Sequence, residues 1–420
     1  MILTPNPAST LPIHQWINVV GFLDACDIKS LRLTGCRDLG LFDPLFTSHL
    51  SLRMDMVPFF RVDSKYPAHS IRRWLFNRSS LVISGQGHIH PARLSYLIKE
   101  GYLDSVTQII VYDCNMYGEV ISQLADLKIT SLKLVDHRKA VGQCGIEDYE
   151  TRVVQNNLDD VVDSIRKMTK LKTLDIEVDA VISGRKLLFL QGMKGLKNLR
   201  LRGFDFSEGI KYIGSLVELE NLHLCHGNFF SSPEKDVNEE DLLDLSSLLQ
   251  VKSVHLEGFD RITDLGVKPF CRRPVTKLVL KHCQCLSGES CSTIGAMTSL
   301  NALHIINSAY DDVEDFETEH LLNLLPLKNL KSISLFYVLI NQYSIMDLVG
   351  LDDLETLNVA FKVDLSQDEF NILCNTILPL FPSLKKVRIF GEDCMERKTF
   401  VGDIEVEFGS FNLGDVVELE

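Results

Sequence analysis

The sequence predicts an α/β solenoid, with parallel strands along a concave face and helices returning outside. Three observations carry the prediction. One short phrase keeps recurring: an apolar residue, two variable ones, an apolar residue, one variable, and a third apolar residue. Six of the ten intervals between its copies are 23–25 residues, and a recurring period of this length marks stacked repeats. The intervening segments leave room for a return helix, but no strand is followed by a Gly-rich phosphate loop, which argues against a doubly wound nucleotide-binding sheet.

The phrase first reads Val106-x-x-Ile109-x-Val111 and begins again at Ile129, Leu171, Leu196, Leu219, Val251, Val275, Leu300, Leu330, Leu354 and Leu384, eleven copies in all. Successive middle residues are 23, 42, 25, 23, 32, 24, 25, 30, 24 and 30 positions apart. Alternation at the second and third apolar positions is that of a strand with one buried face, and the first turns the chain into it. Remainders such as 202–218 and 336–353 are long enough for a return helix. A single unit cannot bury its apolar edge, so neighbours must stack; eleven strands about 4.8 Å apart give a wall on the order of 50 Å. Leu81-x-Ile83 suggests an earlier copy, although Arg78 stands at its first apolar position. Ile404-x-Val406-x-Phe408 suggests a last strand that closes the stack. Extra length at about 136–162, 227–247, 308–326 and 361–382 should emerge as loops along one edge.

On these residues, 105–390 resemble a leucine-rich-repeat domain, whose repeats run to about 20–29 residues. The segment from Val251 to Val267, with Phe259, Ile262, Asp264 and Gly266, is similar to the cysteine-containing subtype associated with ligase receptors. Cys114 and Cys283 occupy that subtype's Asn or Cys position, whereas His137, Phe204, Phe259 and Ser308 depart from it.

Composition narrows the class. With 420 residues, 45% of them hydrophobic, the chain can bury a sizeable core. Its first residues lack the basic and long apolar regions of a signal peptide, and no run approaches the roughly 18 apolar residues of a bilayer span. Eleven cysteines without regular spacing fit a reducing compartment, so a cytoplasmic or nuclear protein is expected. Residues 1–80 hold nine Lys/Arg against six Asp, a balance of +3, and the remainder holds 34 basic against 51 acidic residues, a balance of −17. An acidic solenoid repels nucleic acid and anionic membranes and favours a basic protein partner.

Residues 11–39 are of a different kind. Thr10 can cap a helix that begins at Pro12, and Trp16, Val19, Val20 and Leu23 recur at helical spacing. Asp24 or Asp27 can cap a second helix carrying Ile28, Leu31 and Leu33. This stretch resembles an F-box, the helical motif that docks on the Skp adaptor of SCF-type cullin–RING ubiquitin ligases. Leu11-Pro12 matches the family's opening, Val19 and Leu23 its spaced aliphatics, Asp27-Ile28 its acidic and aliphatic pair, and Leu31-Arg32-Leu33 with Cys36-Arg37 its ending. His14 replaces the usual acid, Gly35 adds a residue and the closing aromatic is absent. The resemblance implies adaptor contacts through Leu11, Pro12, Val19, Leu23, Asp27, Ile28 and Leu31. It also implies the role of a substrate-recognition subunit that is not itself an enzyme. The expected organisation is an F-box-like all-α head at 1–45, a connector at 46–78 with Pro58 and Pro67, and a leucine-rich-repeat solenoid with a C-terminal cap at 79–420.

Period-two geometry aims two columns of side chains at the concave face. One runs through Arg200, His223, His255 and His304 to Arg388, the other through Arg202, Cys225, Glu257, Lys281 and Phe336 to Phe390. Aromatics and Arg carry much interface energy, so Arg200, Arg202, Phe336 and Phe390, with His223 and His255, are the expected substrate-binding residues. His304 lies too far along the stack to join His223 and His255 around zinc, so no metal is expected. Cys271, Cys283, Cys285 and Cys291 lack zinc-knuckle spacing and read as thiols in repeat turns. No catalytic arrangement and no cofactor are expected. The alternatives are a scaffold or inhibitor without ligase linkage, and an enzyme built around His88-Ile-His90.

Overall fold

The computed structural model describes residues 79–84, 91–112, 117–136, 161–226, 237, 239–283, 285–307, 318–336, 343–361, 366–391 and 397–410. The F-box-like head and the connector lie outside them. The chain divides into two compact units, Met1–Ala180 and Val181–Glu420.

In the first unit β1 (Ser80–Ser84), β2 (Gln108–Tyr112), β3 (Ser131–Asp136) and β4 (Thr173–Ile182) follow one another in sequence order, all parallel. Strand β1 is the earlier copy suggested by Leu81-x-Ile83, and Leu81 pairs with Ile109, Ile109 with Leu132, and Leu132 with Leu174. Helices Pro91–Lys99 and Tyr117–Leu124 connect the first three strands.

The second unit repeats the device with β5 (Asn198–Phe204), β6 (Asn221–Cys225), β7 (Ser253–Glu257), β8 (Lys277–Lys281), β9 (Ala302–Ile306), β10 (Ser332–Phe336), β11 (Thr356–Ala360) and β12 (Lys386–Gly391). Middle residues again face middle residues: Leu199 with Leu222, Leu222 with Val254, Val254 with Leu278, and onward to Leu357 with Val387. A slip by one residue would turn every buried side chain to the opposite face, so the apolar pattern fixes this register. All three apolar residues of each of the eleven phrases are buried. The sheet is therefore multi-stranded and almost wholly parallel, flanked by helical turns.

Two backbone motifs explain the phrase. The first apolar residue closes a turn on the residue three before it, as Leu219 N–H donates to Leu216 C=O at 2.9 Å and Leu300 N–H to Met297 C=O at 2.9 Å. The residue before the strand then hooks onto the preceding repeat: Glu220 N–H donates to Lys197 C=O, Lys252 to Glu220, and Thr276 to Lys252, at 2.8, 2.7 and 2.7 Å. The phrase is thus longer than the sequence reading made it, with a further buried apolar residue at Leu103, Met168, Met193, Leu216, Leu248, Met297, Leu327 and Leu351.

Helical segments flank the strands as expected, but few of those described are long. Most return segments are short helical or 3₁₀ turns: Gly184–Gly192, Ile210–Ile213, Asp264–Phe270, Ser290–Gly295 and Ser344–Leu348. After the strand exit and the entry turn, only a few residues remain, and the tighter 3₁₀ turn uses them. Neighbouring turns pack closely; a Cβ on Gly295 would lie 2.0 Å from the Asn323 carbonyl oxygen. The long last interval is helical for much of its length. Helix Gln367–Ile372 starts on a Ser366/Glu369 capping box and continues through Leu380.

The stack closes as Ile404-x-Val406-x-Phe408 suggests. Strand β14 (Ile404–Ser410) runs parallel to β12, and β13 (Arg397–Val401), which sequence reading missed, pairs antiparallel outside it. No helix among the described residues is long and apolar enough to cross a membrane.

Candidate functional site: the strand face of the second unit

Residues flanking the third apolar position of each strand point away from the helical side, because side chains alternate along a strand. Register then aligns them into rows. Arg200 pairs with His223, His223 with His255, His255 with Val279, Val279 with His304, His304 with Ser334 and Ser334 with Asn358. In the second row Arg202 pairs with Cys225, Cys225 with Glu257, Glu257 with Lys281 and Lys281 with Ile306.

The β5–β8 end of this face is charged. Arg200 and Arg202 are half-buried. The Nε of Arg200 is shielded from water and has no hydrogen-bond partner among the described residues. The imidazoles of His223 and His255 stack, with ring centroids 3.7 Å apart and planes 19° from parallel. Burial, and then the Arg200 guanidinium, push the His223 pKa down to about 3. Burial and the neighbouring His223 take His255 to about 2. Both rings are therefore neutral at physiological pH.

Glu257 stands beside them. Burial would raise its pKa, but Lys281 overrides this, and the carboxyl lies below its ordinary range. Lys281 Nζ is 2.9 Å from Glu257 Oε1, whereas Glu257 Oε2 lies 3.9 Å from His255 Nε2. Cys225, buried and hydrogen-bonded to Glu257, has its thiol pushed up to about 12, chiefly by burial.

The β9–β12 end is closed. Val279, Ile306, Phe336, Ala360 and Phe390 form one apolar cluster, and Phe336 and Phe390 meet edge to face at 5.2 Å. Phe336 is 0% and Phe390 8% exposed. Both stand on the expected face, yet they are packed within it rather than presented to a partner. A buried polar row runs beside them. Asn358 Nδ2 donates to Ser334 Oγ at 3.0 Å, and Ser334 Oγ lies 2.8 Å from His304 Nδ1. Ser334 accepts from Asn358, so its own proton is available for His304.

Of the expected substrate-binding residues, the structure gathers Arg200, Arg202, His223 and His255 at one end and Phe336 and Phe390 at the other. Glu257, Cys225 and Lys281 escaped notice as parts of the histidine group. The signal for them was present: on a strand, the residue two positions on shares the face. The expected adaptor-binding residues, Leu11, Pro12, Val19, Leu23, Asp27, Ile28 and Leu31, lie outside the described residues, as does His88-Ile-His90. Cys271, Cys283, Cys285 and Cys291 form no disulfide. Cys283 and Cys291 are buried, whereas Cys285 is exposed.

No protein-family model matches the chain, and no curated protein matches it. Among solved structures it is similar to a chain of the yeast Rad7 and Elc1 complex, with TM-score 0.42 and 16% identity over 75% of this chain and 87% of that one. An internalin from Listeria monocytogenes gives TM-score 0.40 and 16% identity over 72% and 86%. An internalin C2 from the same organism gives 0.33 and 16% over 49% and 83%. By its own geometry, the register-matched parallel stack resembles a leucine-rich-repeat solenoid.

Proposed function

We propose that this chain is the substrate-recognition subunit of an SCF-type cullin–RING ubiquitin ligase. In this reading the head binds the Skp adaptor through Leu11, Pro12, Val19, Leu23, Asp27, Ile28 and Leu31, and the strand face of the second unit holds a target protein. The chain carries no chemistry of its own. It raises the effective concentration of target lysines near a conjugating enzyme bound elsewhere in the ligase. Domain boundaries at 45 and 78 belong to the same proposal.

The observation that carries the binding role is Arg200. Its Nε is withdrawn from water, which holds the half-buried guanidinium in place on the strand face, and its remaining N–H groups can donate to a carboxylate or carbonyl of a bound protein. Arg202, half-buried one row across, extends the same contact. The ligase link rests on the F-box resemblance of residues 11–39.

The test is capture of the Skp adaptor by the full-length chain, compared with Leu11→Ala/Pro12→Ala and with Arg200→Ala. The proposal expects the double variant to lose the adaptor while Arg200→Ala retains it but loses target proteins trapped under proteasome inhibition. Adaptor binding absent, or indifferent to the double variant, removes the ligase link and leaves a scaffold or inhibitor. Target capture that Arg200→Ala does not change moves the binding surface elsewhere.

A further inference from the structure

We propose that His223, Cys225, His255 and Glu257 form a site for one zinc-class divalent ion on the strand face of the second unit. The inference stands apart from the ligase reading and starts from strand geometry. Two neighbouring parallel strands each present donors at positions i and i+2, His-x-Cys on β6 and His-x-Glu on β7. Register sets His223 opposite His255 and Cys225 opposite Glu257, so the four residues sit at the corners of one small rectangle of the sheet.

The distances are short. Donor atoms of His223, His255 and Glu257 all lie within 4.8 Å of one another, whereas Cys225 Sγ, hydrogen-bonded to Glu257, stands outside that group and would have to swing in as the fourth ligand. A tetrahedral ion with bonds of about 2.0–2.3 Å holds its donors roughly 3.3–3.7 Å apart. Binding would require the two stacked rings to turn about their Cβ–Cγ bonds so that their nitrogens converge. Nε2 of His223 is already shielded from water without a hydrogen-bond partner among the described residues.

The carboxylate is already oriented. Lys281 holds Glu257 Oε1 at 2.9 Å, leaving Oε2 as the oxygen turned towards the histidines. Such a hydrogen bond from behind is how proteins commonly fix a metal-binding carboxylate. Cys225 contributes the soft donor. On binding, its S–H gives a proton to solvent and the thiolate sulfur takes the fourth position. Thiolate plus carboxylate offset the ion's two positive charges, which matters here because Arg200, Arg202 and Lys281 surround the site. Two imidazoles, a thiolate and one carboxylate select zinc over magnesium or calcium, which prefer all-oxygen shells. His304 takes no part; it is two strands beyond β7, bonded to Ser334.

Cobalt(II) titration of the chelator-treated full-length protein tests the site. One equivalent should give the visible d–d bands of a tetrahedral ion and a sulfur-to-cobalt charge-transfer band, both abolished by one equivalent of zinc. Cys225→Ser should remove the charge-transfer band while keeping the ion. His223→Asn and Glu257→Gln should each remove saturable binding, and Lys281→Met should weaken it about 10- to 100-fold. Cys225→Ser is nearly isosteric and decides the sulfur assignment even if another variant fails to fold. No stoichiometric tetrahedral spectrum in the parent protein, or a spectrum that Cys225→Ser leaves unchanged, overturns the proposal.

Discussion

Buried histidines make the strand face sensitive to acid. The pKa of His223 is lowered from 6.5 to about 3, that of His255 to about 2 and that of His304 to about 4, in each case first by burial. The unfolded chain takes up protons below about 6.5, whereas the folded chain resists until much lower pH, so acid favours unfolding. The histidines therefore cost nothing above pH 7 and progressively more from 6.5 down towards their folded values. Glu220 and Glu407, each lowered to about 2, bring a further loss only below 4.5. In chelator-containing buffer the urea midpoint is expected to be flat from pH 8 to 7. It should then fall by pH 5, as the unfolding free energy drops by about 1–2 kcal/mol for each buried histidine. His304→Gln should remove its share of that fall; a midpoint unchanged between pH 7 and 5 would contradict the burial of these rings.

Individual repeats show what a sequence encodes well and what it hides. In three repeats the residue after the second strand-face position adopts a left-handed backbone: Gly203 at φ 86°, Gly258 at φ 75° and His282 at φ 52°. At the last two the chain leaves the strand while its N–H still reaches the next repeat, Gly258 to Lys281 C=O at 2.8 Å and His282 to Ile306 C=O at 2.7 Å. A Cβ on Gly258 would also lie 2.7 Å from the His226 carbonyl oxygen. Gly258→Ala should therefore cost about 1–2 kcal/mol for the backbone alone, more with the contact. His282→Gly should stabilise by up to about 1 kcal/mol. Equal effects of the two in denaturant titrations would refute this account.

The strands were legible because their signal is local. A period of two, repeated with the same register, puts Leu199, Leu222 and Val254 in line with no other information. The return segments were not, since a span of fixed length can be filled by one regular helix or by several 3₁₀ turns, and Pro269 inside Asp264–Phe270 was the plainest sign of the latter. The strand face was legible as a row of residues but not as open or closed. Nothing in Leu335-Phe336 announces that Phe336 meets Phe390, because that depends on residues two strands apart. Likewise His223 and His255 stood out by type, whereas Glu257 needed the added rule that i and i+2 share a face.

Across each unit, a stack of repeats is held mainly by nearest neighbours, so stability is transmitted from one strand to the next and the terminal repeat sets the boundary. At the end of the second unit that boundary is the β13–β14 hairpin. Ile404, Val406 and Phe408 are buried, and Phe408 meets Phe370 edge to face at 5.1 Å, tying the hairpin to helix Gln367–Ile372. On the strand face, Glu407 joins the hairpin to β12 through Lys386 at 2.8 Å and Arg388 at 3.1 Å. Ending the chain after Gly391 removes the parallel partner of β12 and leaves an unpaired edge, which invites association with a second chain. It also forgoes roughly 1.5–3 kcal/mol for each of the three apolar side chains. The loss should be graded rather than uniform. Hydrogen exchange of the truncated protein is expected to show protection lost in β12, reduced in β11 and largely kept in β6–β8, where each strand retains both neighbours. Uniform loss from β5 to β12 would mean that the unit folds as one indivisible block. Unchanged protection in β12 would mean that the hairpin is an ornament on a stack that closes without it.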